Sequence, residues 1–461
     1  MIIDLFKHLK TFNPFSIFSS KNGKLNIKLK IYLTLAFSII FLNCSSQIVN
    51  SINFDPNFPT TSQSIVLFNL DTDTAIFNKN ENERIYPASL TKVMTYIITA
   101  KLVKDFVNTQ VTVKQRVLNE LLGTGSSLSY LKDGETWNMK QLLSAMMIAS
   151  GNDAALVIAD HLGQGDTGRF VEWMNEEAGE LGCKDTHFTN PHGLHDEQHY
   201  TTANDLTKIV KHALPLPDFK EITSKSSSDI FGEDRYPLIT TNSMIDSRRG
   251  GDYYYEFATG IKTGFTDEAG RCIIASAEKD GYHYICVALK DHSNEKNCAM
   301  VDSKNLFEWA FSTMEIKSIF DKNKPIGEIA LKYAWQKDHL QLALTQDYFT
   351  ILPQAVDPNS VDISLNVPNL VEAPVKVGDK IGTATLSYEN QILTEIDVIS
   401  AESVKKSQLL SFVAAFLSIV TSKWFIISVV SLILLISIYI IMVRIYNRNR
   451  RAFNKVRRPR R

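Results

Sequence analysis

The chain has 461 residues, 44% of them hydrophobic and 21% charged, so it can bury a full core and allows roughly two or three domains. Formal net charge is −1 but unevenly spread: the closing stretch "RIYNRNRRAFNKVRRPRR" is basic throughout, so the remainder is net acidic. Five cysteines without framework spacing exclude a disulfide-dense scaffold, and the absence of internal repeats or low-complexity tracts excludes a repeat architecture.

In chain order, Lys21, Lys24, Lys28 and Lys30 precede "IYLTLAFSIIFLNCSS", a short apolar region ending in small residues. Residues 1–50 therefore read as a secretory targeting segment. Cleavage after Ser46 fits, with Cys44 and Ser46 at the small positions. An uncleaved anchor or lipidation at Cys44 stays open, although Asn43 stands where lipidation prefers a smaller residue.

Residues 59–315 mix helical and strand patterns. "SIVLFNLDTDTAIFNKN" predicts a hairpin around an Asp-Thr-Asp turn. "YPASLTKVMT" opens a nearly all-apolar helix, and two more helices flank residue 150 in "NMKQLLSAMMIAS" and "DAALVIADHL". Beyond residue 255 come strands, "FATGIKTGF", "RCIIASAEK" and "YHYICVALK", the last two joined at Asp280-Gly281 as a hairpin. "SKNLFEWAF" closes the region as a helix. The other cysteines, Cys183, Cys272, Cys286 and Cys298, are expected as free, mostly buried thiols.

From 325 to 402 the pattern alternates in period two, with Pro and Gly between runs, which predicts a small all-β domain. The apolar segment 407–422 is too short to span a bilayer. It reads either as a helix lying on the outer membrane surface or as an extension of the helix after it. Trp424–Val443 carries no charge, and at about 1.5 Å per residue it spans a hydrocarbon core of about 30 Å. A basic tail over 444–461 suits nucleic acid or an anionic membrane face, and the run before it decides for the membrane. By the positive-inside rule the tail is cytoplasmic and everything before Lys423 lies outside. No nucleic-acid partner is expected.

The chemistry-bearing residues form three short words. Ser89 and Lys92 lie at i and i+3 and share a helix face. A Ser hydroxyl needs a base, and a Lys amine is one only when neutral, which burial and nearby positive charge favour. S-x-x-K also starts at Ser129, Ser276, Ser293 and Ser403, which read as exposed segments. "SGN", Ser150–Asn152, falls in the tight connection between two helices. "KTG", Lys262–Gly264, falls on a strand and occurs once. Its Lys supplies a second cation, and its Gly permits close approach of another backbone.

In this order the words match the S-x-x-K, S-x-N and K-T-G set of penicillin-recognising serine enzymes. Longer stretches, "IASGNDAA", "FVEWMNEEAGELG", "HFTNPHGL", "HYTTANDL" and "GIKTGFTDEAG", resemble the serine-type D-Ala-D-Ala carboxypeptidases, the low-molecular-mass penicillin-binding proteins of peptidase family S11. The resemblance covers roughly residues 60–315 and extends more loosely over "VKVGDKIGTATL". It implies an α/β (α+β) β-lactamase-like domain, an antiparallel sheet packed by helices with a helical subdomain and the site between them. It also implies peptidoglycan stem peptides as substrate, covalent capture of β-lactams, and neither cofactor nor metal.

The resemblance assigns roles. Ser89 attacks the carbonyl between the two D-alanines and Lys92 takes its proton. Ser150 relays a proton to the leaving D-alanine, and Asn152 holds the substrate amide. Lys262 sets the local potential and Thr263 binds the terminal carboxylate. Backbone N–H groups of Ser89 and Phe265 hold the oxyanion. Two departures stand out. Phe265 follows K-T-G where some relatives have His. An Arg that family members often carry after the next strand is missing from "VALKDHSNEK", so either Lys290 replaces it or Thr263 works largely alone.

Other readings compete with this one. His192, His195 and His199 beside Asp196 and Glu197 suggest a zinc peptidase, but no H-E-x-x-H is present, and "PHGLHDEQHY" reads better as a solvated loop. A class A β-lactamase would need an additional Glu in an E-x-x-L-N pattern, which is lacking. A DD-endopeptidase or transpeptidase would use the same residues. A catalytically dead peptidoglycan-binding module is disfavoured by the intact trio.

Overall fold

The computed structural model describes residues 50–456 apart from positions 52, 233, 294, 295 and 390. The targeting segment, up to Val49, and the final residues of the basic tail lie outside the described residues.

The first sheet is built from the hairpin β1 (Ser64–Asn69) and β2 (Thr74–Lys79) and three later strands, β3 (Ala258–Thr266), β4 (Gly270–Lys279) and β5 (Tyr282–Asp291). A two-residue strand, Asn50–Ser51, pairs parallel to β2, and the order continues β2-β1-β5-β4-β3 with antiparallel pairs. Successive side chains in a strand point to opposite faces, and here both faces are apolar. Val66, Phe68, Ile274, Ile285 and Val287 belong to one cluster. Ile65, Leu67, Ile273, Ala275 and Cys286 belong to another on the opposite face.

The first face is covered by α1 (Lys92–Leu102), α2 (Met139–Ile148), α3 (Asn152–Leu162), α4 (Thr167–Glu180) and α5 (Ala203–Ala213), which share the first cluster. Helix α6 (Cys298–Thr313) covers the second face through Leu306, Phe307 and Ala310. The hydrophobic pattern dictates this division. α1 is buried from Lys92 to Thr99 because it is apolar nearly all round, while α5 keeps a polar face for solvent.

Beyond α6, β6 (Met314–Phe320) pairs with β9 (Tyr348–Pro353). A separate six-stranded sheet contains β7 (Gly327–Lys332), β8 (His339–Leu344), β10 (Asp362–Asn366), β11 (Leu370–Glu372), β12 (Lys380–Tyr388) and β13 (Gln391–Ser400), in the order β10-β12-β13-β8-β7-β11. Its own core gathers Leu340, Leu342, Leu386, Leu393 and Val398.

The chain then forms α7 (Gln408–Val420), begun by a Ser407 cap, and α8 (Lys423–Val456), with a break at Thr421–Ser422. The apolar segment and the run after it are thus two helices. α8 continues past Val443 into the basic residues, because nothing there breaks a helix. Over Lys423–Arg448 it is long and apolar enough to cross a membrane.

Candidate active site

Ser89 sits in a tight turn ahead of α1. Pro87 leads into a short 3-10 turn, Ala88–Thr91, and α1 starts at Lys92. Ala88 has φ 47°, a left-handed conformation that costs a non-glycine residue about 1–3 kcal/mol and persists only when its surroundings fix it. Those surroundings are visible. The Thr91 hydroxyl donates to the Ala88 carbonyl at 2.8 Å and meets His199 Nε2 at 2.7 Å. Gly193 passes so close behind that a Cβ on it would lie 1.9 Å from the Ala88 oxygen.

Lys92 is 0% exposed, and its Nζ lies 2.8 Å from Ser89 Oγ, 2.6 Å from Asn152 Oδ1 and 2.7 Å from the His192 carbonyl. Burial, reinforced by the charge of Lys262 and opposed by Asp153, holds its pKa well below the usual lysine range. A neutral amine has two hydrogens and one lone pair. The two carbonyl oxygens take the hydrogens, so the lone pair is left for the Ser89 hydroxyl to donate into. The arrangement can therefore deprotonate Ser89.

The α2–α3 connection brings a second serine. An Asn138–Gln141 capping box starts α2, and the helix ends at Ile148. Ser150 then adopts φ 60° and lines the cleft. A Cβ on Gly151 would meet Ser129 Oγ at 1.9 Å and Asp153 Oδ1 at 2.8 Å, so a larger residue there would have to displace those side chains. Asp153, buried in the first turn of α3, accepts from the backbone N–H of Ser129 at 2.8 Å and of Leu131 at 3.1 Å. It thereby fixes the loop whose Thr124–Ser127 portion lines one wall.

β3 forms the facing wall and is an edge of its sheet, so one side of its backbone is open to an extended peptide. Lys262 is 1% exposed, donates to the Thr263 carbonyl at 2.8 Å, and burial pushes its pKa down to about 7. Thr263 Oγ1 lies 2.5 Å from Thr241 Oγ1. A Cβ on Gly264 would sit 2.9 Å from the Pro87 carbonyl and 3.1 Å from the Ser89 nitrogen, so glycine is what lets β3 approach the serine turn. Phe265 is 61% exposed at the mouth. The cleft, about 620 Å³, is lined by Ser89, Ser150, Asn152, Thr263, Gly264 and Phe265 among others, with Lys92 buried behind Ser89.

Of the residues singled out in the sequence, Ser89, Ser150, Asn152, Thr263, Gly264 and Phe265 thus line one cleft, and Lys92 and Lys262 are buried outside its lining. Three expectations need correction. The "PHGLHDEQHY" segment is solvated only in part: residues 195–198 are exposed, but His192 and His199 are buried, with pKa values pushed down to about 3, chiefly by burial. Thr189 N–H donates to His199 Nδ1, so its Nε2 carries the proton toward Thr91. Sequence pattern misses this because the packing partners lie about a hundred residues upstream. Ser129 and Ser276 are likewise buried rather than exposed. Lys290 does not line the cleft. Its backbone turns left-handed at φ 59°, and its N–H donates to Cys272 Sγ at 3.4 Å.

Other contributors carried no sequence signal strong enough to find them: the His192 carbonyl, Asp153, Thr241 and Arg271. Asp153 at the start of a helical run is the one that a capping argument could have reached.

Comparison with known proteins agrees with this geometry. The D-alanyl-D-alanine carboxypeptidase family matches residues 53–293, and the penicillin-binding protein 5 C-terminal domain matches 315–406. The chain is 30% identical to D-alanyl-D-alanine carboxypeptidase DacF of Bacillus subtilis over 76% of its own length and 88% of the relative's. It is 27% identical to the Escherichia coli carboxypeptidase DacD over 83% and 97% of the two chains. Penicillin-binding protein 5 from Haemophilus influenzae superposes with a TM-score of 0.62 at 25% identity, covering 76% of this chain and 99% of that one. The chain belongs to the D-alanyl-D-alanine carboxypeptidase family of serine hydrolases, with the penicillin-binding protein 5 architecture.

Proposed function

We propose that this cleft removes the terminal D-alanine of peptidoglycan stem peptides through an acyl-enzyme on Ser89. Ser89 Oγ attacks the carbonyl between the two D-alanines as its proton passes to Lys92. The oxyanion is held by the N–H groups of Ser89 and Phe265; the closeness of Gly264 to the Ser89 nitrogen supports that pairing. Ser150 passes a proton to the departing amine and regains one from Lys92, so the C–N bond breaks and free D-alanine leaves with Lys92 neutral again. Asn152 holds the peptide amide, Thr263 the terminal carboxylate, and Lys262 keeps the local potential positive. Water then attacks the ester and restores Ser89. A β-lactam would acylate Ser89 in the same way, its leaving group still tethered.

One observation carries this reading. The Lys92 amine has two carbonyl acceptors and the Ser89 hydroxyl as its neighbours, and burial lowers its pKa. Mass spectrometry after exposure to penicillin should place a long-lived adduct on the Ser89 peptide, and Ser89→Ala should abolish it together with D-alanine release. An adduct on Ser150 or Ser129 would reassign the nucleophile, and rapid turnover of the penicillin would favour a β-lactamase.

We read residues 59–315 as the catalytic domain and 325–402 as a small β domain. We further read 424–443 as a single membrane anchor with the catalytic domain outside the cytoplasm and the basic tail inside. The uncharged run of α8, followed by arginines, supports this. Protease added to protoplasts should remove the catalytic domain and leave the tail protected.

A further inference from the structure

The loop over residues 123–131, which forms one wall of the cleft, turns left-handed three times. At two of those positions, Gly123 and Gly125, the chain uses glycine, for which that conformation costs little. At the third it uses Tyr130, with φ 58°, where a bulky side chain is strained. The strain is held from inside. The buried Asp153 carboxylate accepts from the N–H groups of Ser129 and Leu131, on either side of Tyr130. Further along, Glu135 accepts from the Lys132 N–H at 2.9 Å and pairs with Arg235. The Tyr130 side chain itself takes no part in this bracing. It is 77% exposed, and among the described residues its hydroxyl makes no hydrogen bond and its ring no aromatic pair.

A strained aromatic that faces water and braces nothing points to a contact outside the chain. Its place indicates which part of the substrate it meets. Thr124–Ser127 line the cleft and Tyr130 does not, but three residues of chain keep it within about 10 Å of that lining. The Ser127 carbonyl accepts the Asn152 N–H at 2.9 Å. Asn152 is the residue assigned to the peptide amide, so this rim lies on the acyl side of the scissile bond. A stem peptide leaving the cleft on that side leads to the sugar that bears it. The peptide can pair with the open backbone edge of β3. An uncharged ring with a polar tip suits a pyranose instead, whose C–H faces are apolar and whose rim carries hydroxyls. We propose that Tyr130 is a sugar-binding platform at the rim of the cleft, its ring stacking on a pyranose of the glycan strand. This rests on the D-Ala-D-Ala reading of the cleft.

The test measures D-alanine release by the full chain in detergent from three substrates: a short acyl-D-Ala-D-Ala peptide, the sugar-free stem pentapeptide, and the same pentapeptide on its disaccharide. Tyr130→Gly and Tyr130→Asn remove the ring while keeping residues that tolerate the left-handed backbone, so the loop should persist and thermal stability should not fall. Both should lose about tenfold in kcat/KM on the disaccharide substrate, mostly in KM, and stay within about twofold on the two sugar-free peptides. Tyr130→Phe, which retains the ring, should keep most of the activity on all three. Equal losses on all three substrates would show that Tyr130 only shapes the loop. A loss already present on the sugar-free pentapeptide would assign the ring to the peptide, and undiminished cleavage of the disaccharide substrate by both folded variants would also overturn the proposal. A wild type that cleaves none of the three would instead overturn the D-Ala-D-Ala reading itself.

Discussion

Strand β1, "SIVLFN", is buried at every position, whereas β13, "QILTEIDVIS", is buried only where its side chains face inward. The first sheet has helices on both faces; the second keeps an exposed face, with Ile363 and Ile392 among its exposed apolar residues. A sheet clamped from both sides holds its edge strand in register against the serine turn, and catalysis by positioning needs that. The one-sided sheet buries enough to fold but fixes no reactive atom. The same contrast appears among lysines. Lys101 and Lys140 on the helix surfaces meet Glu177 and Glu221 at 2.5 and 2.8 Å, and their pKa values are raised. Lys92 and Lys262 have no carboxylate within ion-pair distance among the described residues, and theirs are lowered.

The comparison breaks most visibly at Gly264. Gly264→Ala places a methyl group against the Pro87 carbonyl and the Ser89 nitrogen, neither of which can yield cheaply. Displacing β3 from the serine turn should lower kcat/KM and penicillin acylation by about a hundredfold while the protein remains folded. Near-normal acylation in the folded variant would mean that the wall is softer than the two-sided packing implies.

The lysine contrast is sharpened by pH. In the proposed mechanism, acylation requires Lys92 neutral and Lys262 charged. The rate should therefore rise as Lys92 loses its proton and fall as Lys262, whose pKa is about 7, loses its own. In Lys262→Arg the guanidinium keeps its proton, so the falling limb of kcat/KM should move up by more than about one pH unit. A limb that stays near neutrality in that variant would belong to another group.

The smallest effect on rate is expected in the second sheet. Leu342→Ala removes a fully buried side chain from its core and should destabilise that region by about 2–5 kcal/mol in a denaturant titration. Because the site shares no packing with Leu342, kcat/KM should stay within about twofold where both proteins are folded. A proportionate fall in activity would show that the two regions are coupled.

The sequence by itself determined which motif residues meet around the cleft and much of the architecture. Ser89 and Lys92 three apart, a serine and an asparagine between two helices, and one K-T-G on a strand are local patterns. So are the alternation beyond residue 325 and the uncharged run of α8. Tertiary structure alone decided what the histidines do. His192 and His199 look like surface residues in "PHGLHDEQHY", yet one supplies a carbonyl to Lys92 and the other braces the serine turn through Thr91. It also decided where the cations lie, since neither composition nor spacing shows that Arg271 lines the cleft and Lys290 does not. A one-residue irregularity between Ala288 and Asp291 shifts the register of β5 against β4 at Lys290, while the ladder with β3 places Arg271 beside Phe265. The reason is physical: local patterns fix helix and strand faces, but a side chain's role depends on what the far chain packs against it, and that is set only when the sheet and its helices close.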